Sequence, residues 1–254
     1  MRVLLTNDDG IHSPGLHALA EAFASRHETV VVAPEHERSA TGHAVTLHKP
    51  LRAWRSAVLP EGVTAWATNG TPADCVILGV LDLLGRRPDV VVSGINVGPN
   101  LGRDLTYSGT VSGAMEGAIM GIPSLAVSVA AFVDVRFEVA AQFAERLSRL
   151  VVERELPADA LINVNVPNLP LERLSGVAIT RQGSRRYLSQ LERRTDPRGR
   201  PYYWLAGEPE PLGDEEGTDS WAVKAGYISV TPIDLNMTGD RLLHDLAAWG
   251  LTVS

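Results

Sequence analysis

The chain has 254 residues, 44% of them hydrophobic and 21% charged, which is enough to bury one large core. A formal net charge of -7 and a pI near 5.5 argue against unspecific binding to nucleic acid or to an anionic membrane surface, and small substrates fit better. No stretch approaches the ~20 apolar residues of a membrane-spanning helix, Met1-Arg2 leads straight into an apolar strand, and the single cysteine, Cys75, reads as a buried thiol, so a cytoplasmic protein is expected.

The first strand, Val3-Leu4-Leu5, runs out into the turn Asn7-Asp8-Asp9-Gly10. Two adjacent carboxylates each disfavour ionisation of the other, so a hard divalent cation or a dense set of donors is expected beside them. Plain turn chemistry, with Asp9 capping a helix that starts near Ser13-Pro14, is the alternative reading of the tetrapeptide. Its position at the carboxyl end of a first strand favours a site, because ligands of open parallel sheets collect there.

A helix from Gly15 to Ser25 and a strand over Thr29-Ala33 complete a βαβ unit, and an irregular stretch follows from Glu35 to Thr46. Next come a strand at Val63-Ala67, a helix over Pro72-Leu84 and the strand Asp89-Val90-Val91-Val92-Ser93. Continuous valine runs belong to strands buried on both faces, which predicts a doubly wound α/β fold: a three-layer, Rossmann-like core with a mostly parallel sheet. Gly109, Gly113, Gly117 and Gly121 then recur at intervals of four, a pattern that either ligand approach or close packing explains.

After Ser124-Val129, a helix over Val135-Glu153 and a strand over Leu161-Val166, the character changes. Seven arginines fall between Arg181 and Arg200, and Asp196-Pro197-Arg198-Gly199 reads as the turn of a hairpin arm spanning 182–205. The arginines read as a solvated face balanced by the acidic segment Glu208-Asp219. A strand at Gly226-Thr231 and a helix around Asp240-Trp249 end the chain. The expected organisation is one domain over 1–254, with core in 1–181 and 206–237 and a C-terminal element over 238–254.

Three further loops follow strands of the same sheet. Glu35-His43 offers hydroxyls, imidazoles and Arg38. Ser93-Gly102 supplies Asn96 and Asn100, with an amide oxygen on Asn96 suited to a hard cation and accessible amides at Gly98 and Gly102 suited to an anion. Ser108-Gly109-Thr110 opens the glycine-striped helix, where amides and hydroxyls form an anion site. Each loop also has a purely structural reading, as αL turns or helix caps. Together they suggest phosphate held against a metal.

Other site classes fail by absence. There is no Gly-Lys-Ser/Thr P-loop, no Gly-x-Gly-x-x-Gly after the first strand, no His-Glu-x-x-His or Cys-x-x-Cys, and no Gly-x-Ser-x-Gly elbow.

Asn7-Asp8-Asp9-Gly10, Arg38-Ser39, Gly70-Thr71-Pro72-Ala73-Asp74-Cys75, Ser93-Gly94-Ile95-Asn96 with Gly98-Pro99-Asn100-Leu101-Gly102, and Tyr107-Ser108-Gly109-Thr110-Val111 resemble, in order and spacing, the SurE family of survival-protein-E nucleotidases. Asn163-Val164-Asn165-Val166-Pro167, Gly217-Thr218-Asp219 and Gly226-Tyr227-Ile228-Ser229-Val230-Thr231-Pro232 extend the likeness over almost the whole chain.

The resemblance implies a divalent-metal-dependent phosphatase acting on nucleoside 5′-monophosphates, with activity on 3′-nucleotides and short polyphosphate in some members. It implies one Mg²⁺ or Mn²⁺ per subunit on Asp8, Asp9, Ser39 and Asn96, and phosphate contacts within Asn96, Gly98, Asn100, Gly102, Ser108, Gly109 and Thr110. It also implies homodimers that exchange C-terminal elements and homotetramers built by hairpin arms. Ala40-Thr41-Gly42-His43 departs from the family pattern. Asp8 is the expected base toward the attacking water, with Asp9 mainly a ligand. A rival scheme makes Asp8 a nucleophile, as in haloacid-dehalogenase-like phosphatases, but those place a second aspartate where Gly10 stands. A non-catalytic nucleotide or phosphate sensor is the alternative of a different class.

Overall fold

Val3, Leu4 and Leu5 are all fully buried, yet they face opposite ways: Val3 and Leu5 join one apolar cluster and Leu4 another. Alternation of side chains along a strand requires this when helices cover both faces of a sheet. A computed structural model describes residues 1–185, 190–206, 211, 213 and 215–253.

The first half runs β1 (Arg2–Thr6), α1 (Pro14–Ala24), β2 (Glu28–Pro34), β3 (Ala53–Ser56), β4 (Thr64–Thr68), α2 (Pro72–Leu78), β5 (Val90–Val97), α3 (Gly109–Ile119) and β6 (Ser124–Ala130). The second half runs α4 (Glu138–Glu153), β7 (Ala160–Pro167), β8 (Gly176–Ile179), β9 (Gln190–Thr195), β10 (Pro201–Ala206), α5 (Asp219–Lys224), β11 (Tyr227–Asp234) and α6 (Asp240–Ala248).

One nine-stranded sheet has the order β3-β4-β2-β1-β5-β6-β7-β11-β8. Its pairings are parallel except β3 with β4 and β7 with β11. Helices α1 and α4 pack together on one face and α2 with α3 on the other, giving the three layers expected. The chain winds outward from β1 through β2 and β4, then returns to β5 on the other side of β1. Such a reversal of winding opens a crevice at the carboxyl ends of the two central strands.

Several local expectations are corrected. Ser13, not Asp9, caps α1: its Oγ accepts from the Leu16 N–H at 3.3 Å, with Pro14 in the first turn. The helix from Pro72 is regular only to Leu78 and continues as a π-helical turn over Gly79–Leu83. Strand β5 does not end at Val92 or Ser93 but runs to Val97, with a register shift against β6 between Gly94 and Asn96, so Asn96 stands on a strand end. The short elements β3, β8 and α5 carry no hydrophobic periodicity long enough to announce them.

The glycine stripe serves packing. A Cβ on Gly113 would lie 2.7 Å from Ser93 Oγ and one on Gly117 would lie 2.4 Å from Ser124 Oγ, so α3 sits closer to the sheet than any larger residue allows. Close approach is the compensation for the roughly 1 kcal/mol of helix propensity each glycine gives up.

Strands β9 and β10 form a separate antiparallel hairpin around the expected turn, where Asp196 Oδ1 accepts from the N–H groups of Arg198 and Arg200. Residues 186–189 of the expected arm, and 208–210, 212 and 214 of the acidic segment, lie outside the described residues. Leu242 and Leu243 of α6 and Tyr203, Trp204 and Leu205 of the arm are all exposed.

Candidate active site

The acidic turn is built by its neighbours. Asn7 is fully buried, and its Nδ2 donates to the Gly10 carbonyl at 3.0 Å and to Ser13 Oγ at 2.7 Å, tying the turn to the start of α1. The Arg38 N–H donates to the Asp8 carbonyl at 2.7 Å, which ties it to the loop after β2. The side chain of Asp8 points at the start of α3, where Oδ1 accepts from Thr110 Oγ1 at 2.5 Å. Gly109 permits this approach, since a Cβ there would stand 2.6 Å from the Asp8 Cβ.

Burial pushes the Asp8 carboxyl above its usual range, opposed by the hydrogen bonds from Thr110. Asp9 is pushed up to about 7, first by burial and then by the charge of Asp8, with Glu37 adding and the Val97 N–H opposing. Its Oδ2 is buried without a hydrogen-bond partner. An orphaned acceptor of that kind costs about 1–3 kcal/mol or more when charged, so a ligand at this spot removes a real penalty.

Ser39 follows on the loop after β2, with Oγ donating to Glu37 Oε1 at 2.7 Å. That loop is pinned at several points: the Gly42 N–H donates to the Tyr107 carbonyl, Thr46 bonds both carboxylate oxygens of Asp74, and His43 Nε2 lies 2.8 Å from Glu116 Oε2. The Thr71–Asp74 capping box of α2 therefore also holds the Ser39 loop, which accounts for Gly70-Thr71-Pro72-Ala73-Asp74 as a motif without giving it direct chemistry. At the end of β5, Asn96 Nδ2 donates to the Gly98 carbonyl at 2.8 Å, which fixes the plane of its amide.

Asp8, Asp9, Ser39, Asn96, Gly98, Asn100 and Ser108 line one cleft of about 660 Å³, together with Glu37, Asp104, Tyr107 and Phe132. Ser108 caps α3, accepting from the Val111 N–H at 3.1 Å. Asn100 is fixed from below: its N–H donates to Asn165 Oδ1, its carbonyl accepts from Asn163 and Asn165, and its Nδ2 donates to Ser128 Oγ.

Three of the residues expected at phosphate lie behind this cleft. The Gly102 N–H is committed to Asp219 Oδ2 at 2.8 Å, Gly109 packs on Asp8, and Thr110 spends its hydroxyl on Asp8. The Gly98 N–H is also taken, by the Val129 carbonyl at 3.0 Å, so Gly98 shapes the wall rather than offering a free amide.

Among the described residues, four carboxylates and no lysine or arginine line the cleft. A phosphate dianion placed there meets like charge, and two unit charges about 4 Å apart repel by about 4 kcal/mol at an effective dielectric of about 20. Among the described residues no group of three or more His, Cys, Asp and Glu side chains is placed to hold a metal. The donor set is instead two carboxylates with the neutral oxygens of Ser39 and Asn96, a hard-oxygen set that fits Mg²⁺ or Mn²⁺.

No motif of the sequence singles out Phe132 as part of the site, and Glu37 and Tyr107 show there only within longer loop and motif stretches; Asn163 and Asn165 show as two polar residues at period two on one face of an otherwise buried strand.

The fold and the cleft define an α/β protein with a carboxylate-lined pocket at the switch point of its sheet. The family model described as "Survival protein SurE" matches residues 3–189, and the chain belongs to that family. A protein named 5′-nucleotidase SurE from Heliobacterium modesticaldum is 52% identical over 249 residues, covering 98% of this chain and 92% of its own length. One of the same name from Geobacter metallireducens is 53% identical over 250 residues, with 98% and 97% covered. The crystal structure of the SurE protein from Aquifex aeolicus superposes with a TM-score of 0.84 at 45% identity, covering 98% of this chain and 99% of that one.

Proposed function

We propose that this protein is a divalent-metal-dependent 5′-nucleotidase that hydrolyses nucleoside 5′-monophosphates to nucleoside and phosphate. The observation that carries the reading is the cleft itself: paired acids, one with an orphaned buried oxygen, face neutral oxygen donors, and no basic side chain among the described residues lines the cleft to meet phosphate. The names of the relatives from Heliobacterium and Geobacter agree with it.

Asp8, Asp9, Ser39 and Asn96 would hold one Mg²⁺ or Mn²⁺ per subunit. When bound, such an ion supplies charge compensation and Lewis-acid polarisation of a phosphoryl oxygen. Asp8, held by Thr110, takes the proton of the attacking water as the water oxygen bonds to phosphorus and the bond from phosphorus to the ester oxygen breaks, the leaving nucleoside oxygen taking up a proton from solvent. The start of α3 at Ser108 adds the positive end of a helix dipole toward the equatorial oxygens. The exposed rings of Tyr107 and Phe132 on the rim give a nucleobase a surface to stack on.

The reading extends, on family resemblance, to 3′-nucleotides and short polyphosphate. It takes the working form to be a homodimer that can pair into a homotetramer, supported by the exposed apolar residues of α6 and of the arm. Net charge -7 supports a small substrate over nucleic acid, and no helix among the described residues is long and apolar enough to cross a membrane. A single buried thiol suits the cytoplasm.

Phosphate release from AMP and GMP by chelator-treated protein tests the proposal. Turnover restored by Mg²⁺ or Mn²⁺ is expected; tight nucleotide binding without turnover would establish the sensor instead.

A further inference from the structure

Gly217-Thr218-Asp219 touches no part of the cleft, yet the Asp219 side chain is fully buried and saturated by backbone donors. Oδ2 accepts from the Gly102 N–H at 2.8 Å, while Oδ1 accepts from Gly183 at 3.0 Å and Ser220 at 2.7 Å. Gly102 lies behind the cleft wall, in sequence between the lining residues Asn100 and Asp104, and Gly183 belongs to the root of the arm. More bonds join the same two segments: Gln182 Nε2 donates to the Gly102 carbonyl at 2.7 Å, the Arg103 N–H donates to the Arg185 carbonyl at 2.8 Å, and Arg185 Nη1 meets Asp104 Oδ2 at 3.1 Å. The fit is tight, since a Cβ on Gly102, at φ +56°, would stand 2.5 Å from the Arg185 carbonyl oxygen.

The wall is thus held at two points. Asn163 and Asn165 fix Asn100 from the sheet, and Asp219 with the arm root fixes Gly102 to Asp104 from behind. On the front of the same wall stand Asn100, Asp104, Tyr107 and Ser108.

We infer that Asp219 is a positioning residue for nucleotide binding: by clasping the Gly102 and Gly183 amides it sets the wall of the cleft. The inference rests on the reading of the cleft as a nucleotide site. An amide cannot replace the carboxylate, because its NH₂ would face an N–H donor and leave at least one buried amide unpaired.

Asp219→Asn tests it through AMP affinity by calorimetry, steady-state phosphate release and Mn²⁺ affinity measured without nucleotide. The expected result is a Kd and KM for AMP raised about tenfold with kcat within about twofold and Mn²⁺ affinity unchanged. A folded variant with unaltered AMP affinity, or one whose only change is a lower Tm, overturns the inference. If Asp219→Asn does not fold, Gln182→Ala carries the test, with a smaller rise in Kd expected and no rise contradicting it. Failure of the wild-type protein to release phosphate counts against the proposed function alone, since the calorimetric comparison reads the clasp without turnover.

Discussion

Thr110 and Asp8, 102 residues apart in sequence, meet at 2.5 Å between Oγ1 and Oδ1, both side chains buried, with Asp8 lining the cleft and Thr110 behind it. The contact leaves Asp9 as the acid whose Oδ2 lacks a partner, so the two carboxylates are not equivalent. One is oriented by the protein, and the other carries the oxygen that the proposed cation would meet.

Removing the Thr110 hydroxyl should therefore release Asp8 without touching substrate. Thr110→Val is expected to lower kcat by about tenfold to a hundredfold with a smaller effect on KM, and Thr110→Ser to restore most of it. Steady-state kinetics on AMP check both variants.

Asp9 yields a stability prediction. Its pKa in the folded protein is raised from 3.8 to about 7, so folding binds a proton that the unfolded chain releases earlier. The stability this contributes is complete below about 4 and lost as pH rises through about 7, so metal-free protein should melt at falling temperature across that window. Asp9→Asn should flatten the dependence and raise the Tm at pH 8, while lowering turnover by more than about a hundredfold. Thermal melts with and without Mn²⁺ decide this.

Gly109→Ala separates activity from stability. Alanine gains up to about 1 kcal/mol of helix propensity, but its Cβ would stand 2.6 Å from the Asp8 Cβ and 2.7 Å from Oδ2. Overpacking of that kind costs about 1–3 kcal/mol, so the net change in stability should stay below about 2 kcal/mol. Turnover should fall far more, by about a hundredfold, because Asp8 has to move. Equal losses in both would contradict the proposed role of the Asp8 carboxylate beside Gly109.

Phe132→Ala tests the base shelf. Stacking of a base on an aromatic ring is worth about 1–3 kcal/mol, so KM for AMP should rise about tenfold. Ribose 5-phosphate, which has no base, should show no such rise.

The apolar run of β1 and the valine runs of β2 and β5 made the layered sheet readable, because strands covered on both faces have few polar positions to spare. Strand β3 escaped notice as a four-residue edge element, and α5 as a six-residue helix whose identity depends on Thr218 capping it. Within the site, Asp8, Asp9 and Asn96 could be named because their chemistry is local to a strand end. Gly102 could not be placed from sequence, since whether a loop amide is free depends on Asp219, 117 residues away. Phe132 looks like an ordinary loop residue until the cleft assembles around it.

Anomalous scattering from crystals soaked in Mn²⁺ tests the central claim most directly. One strong site per subunit is expected within coordination distance of Asp8, Asp9, Ser39 and Asn96. A peak elsewhere, or a site that omits both aspartates, would contradict it.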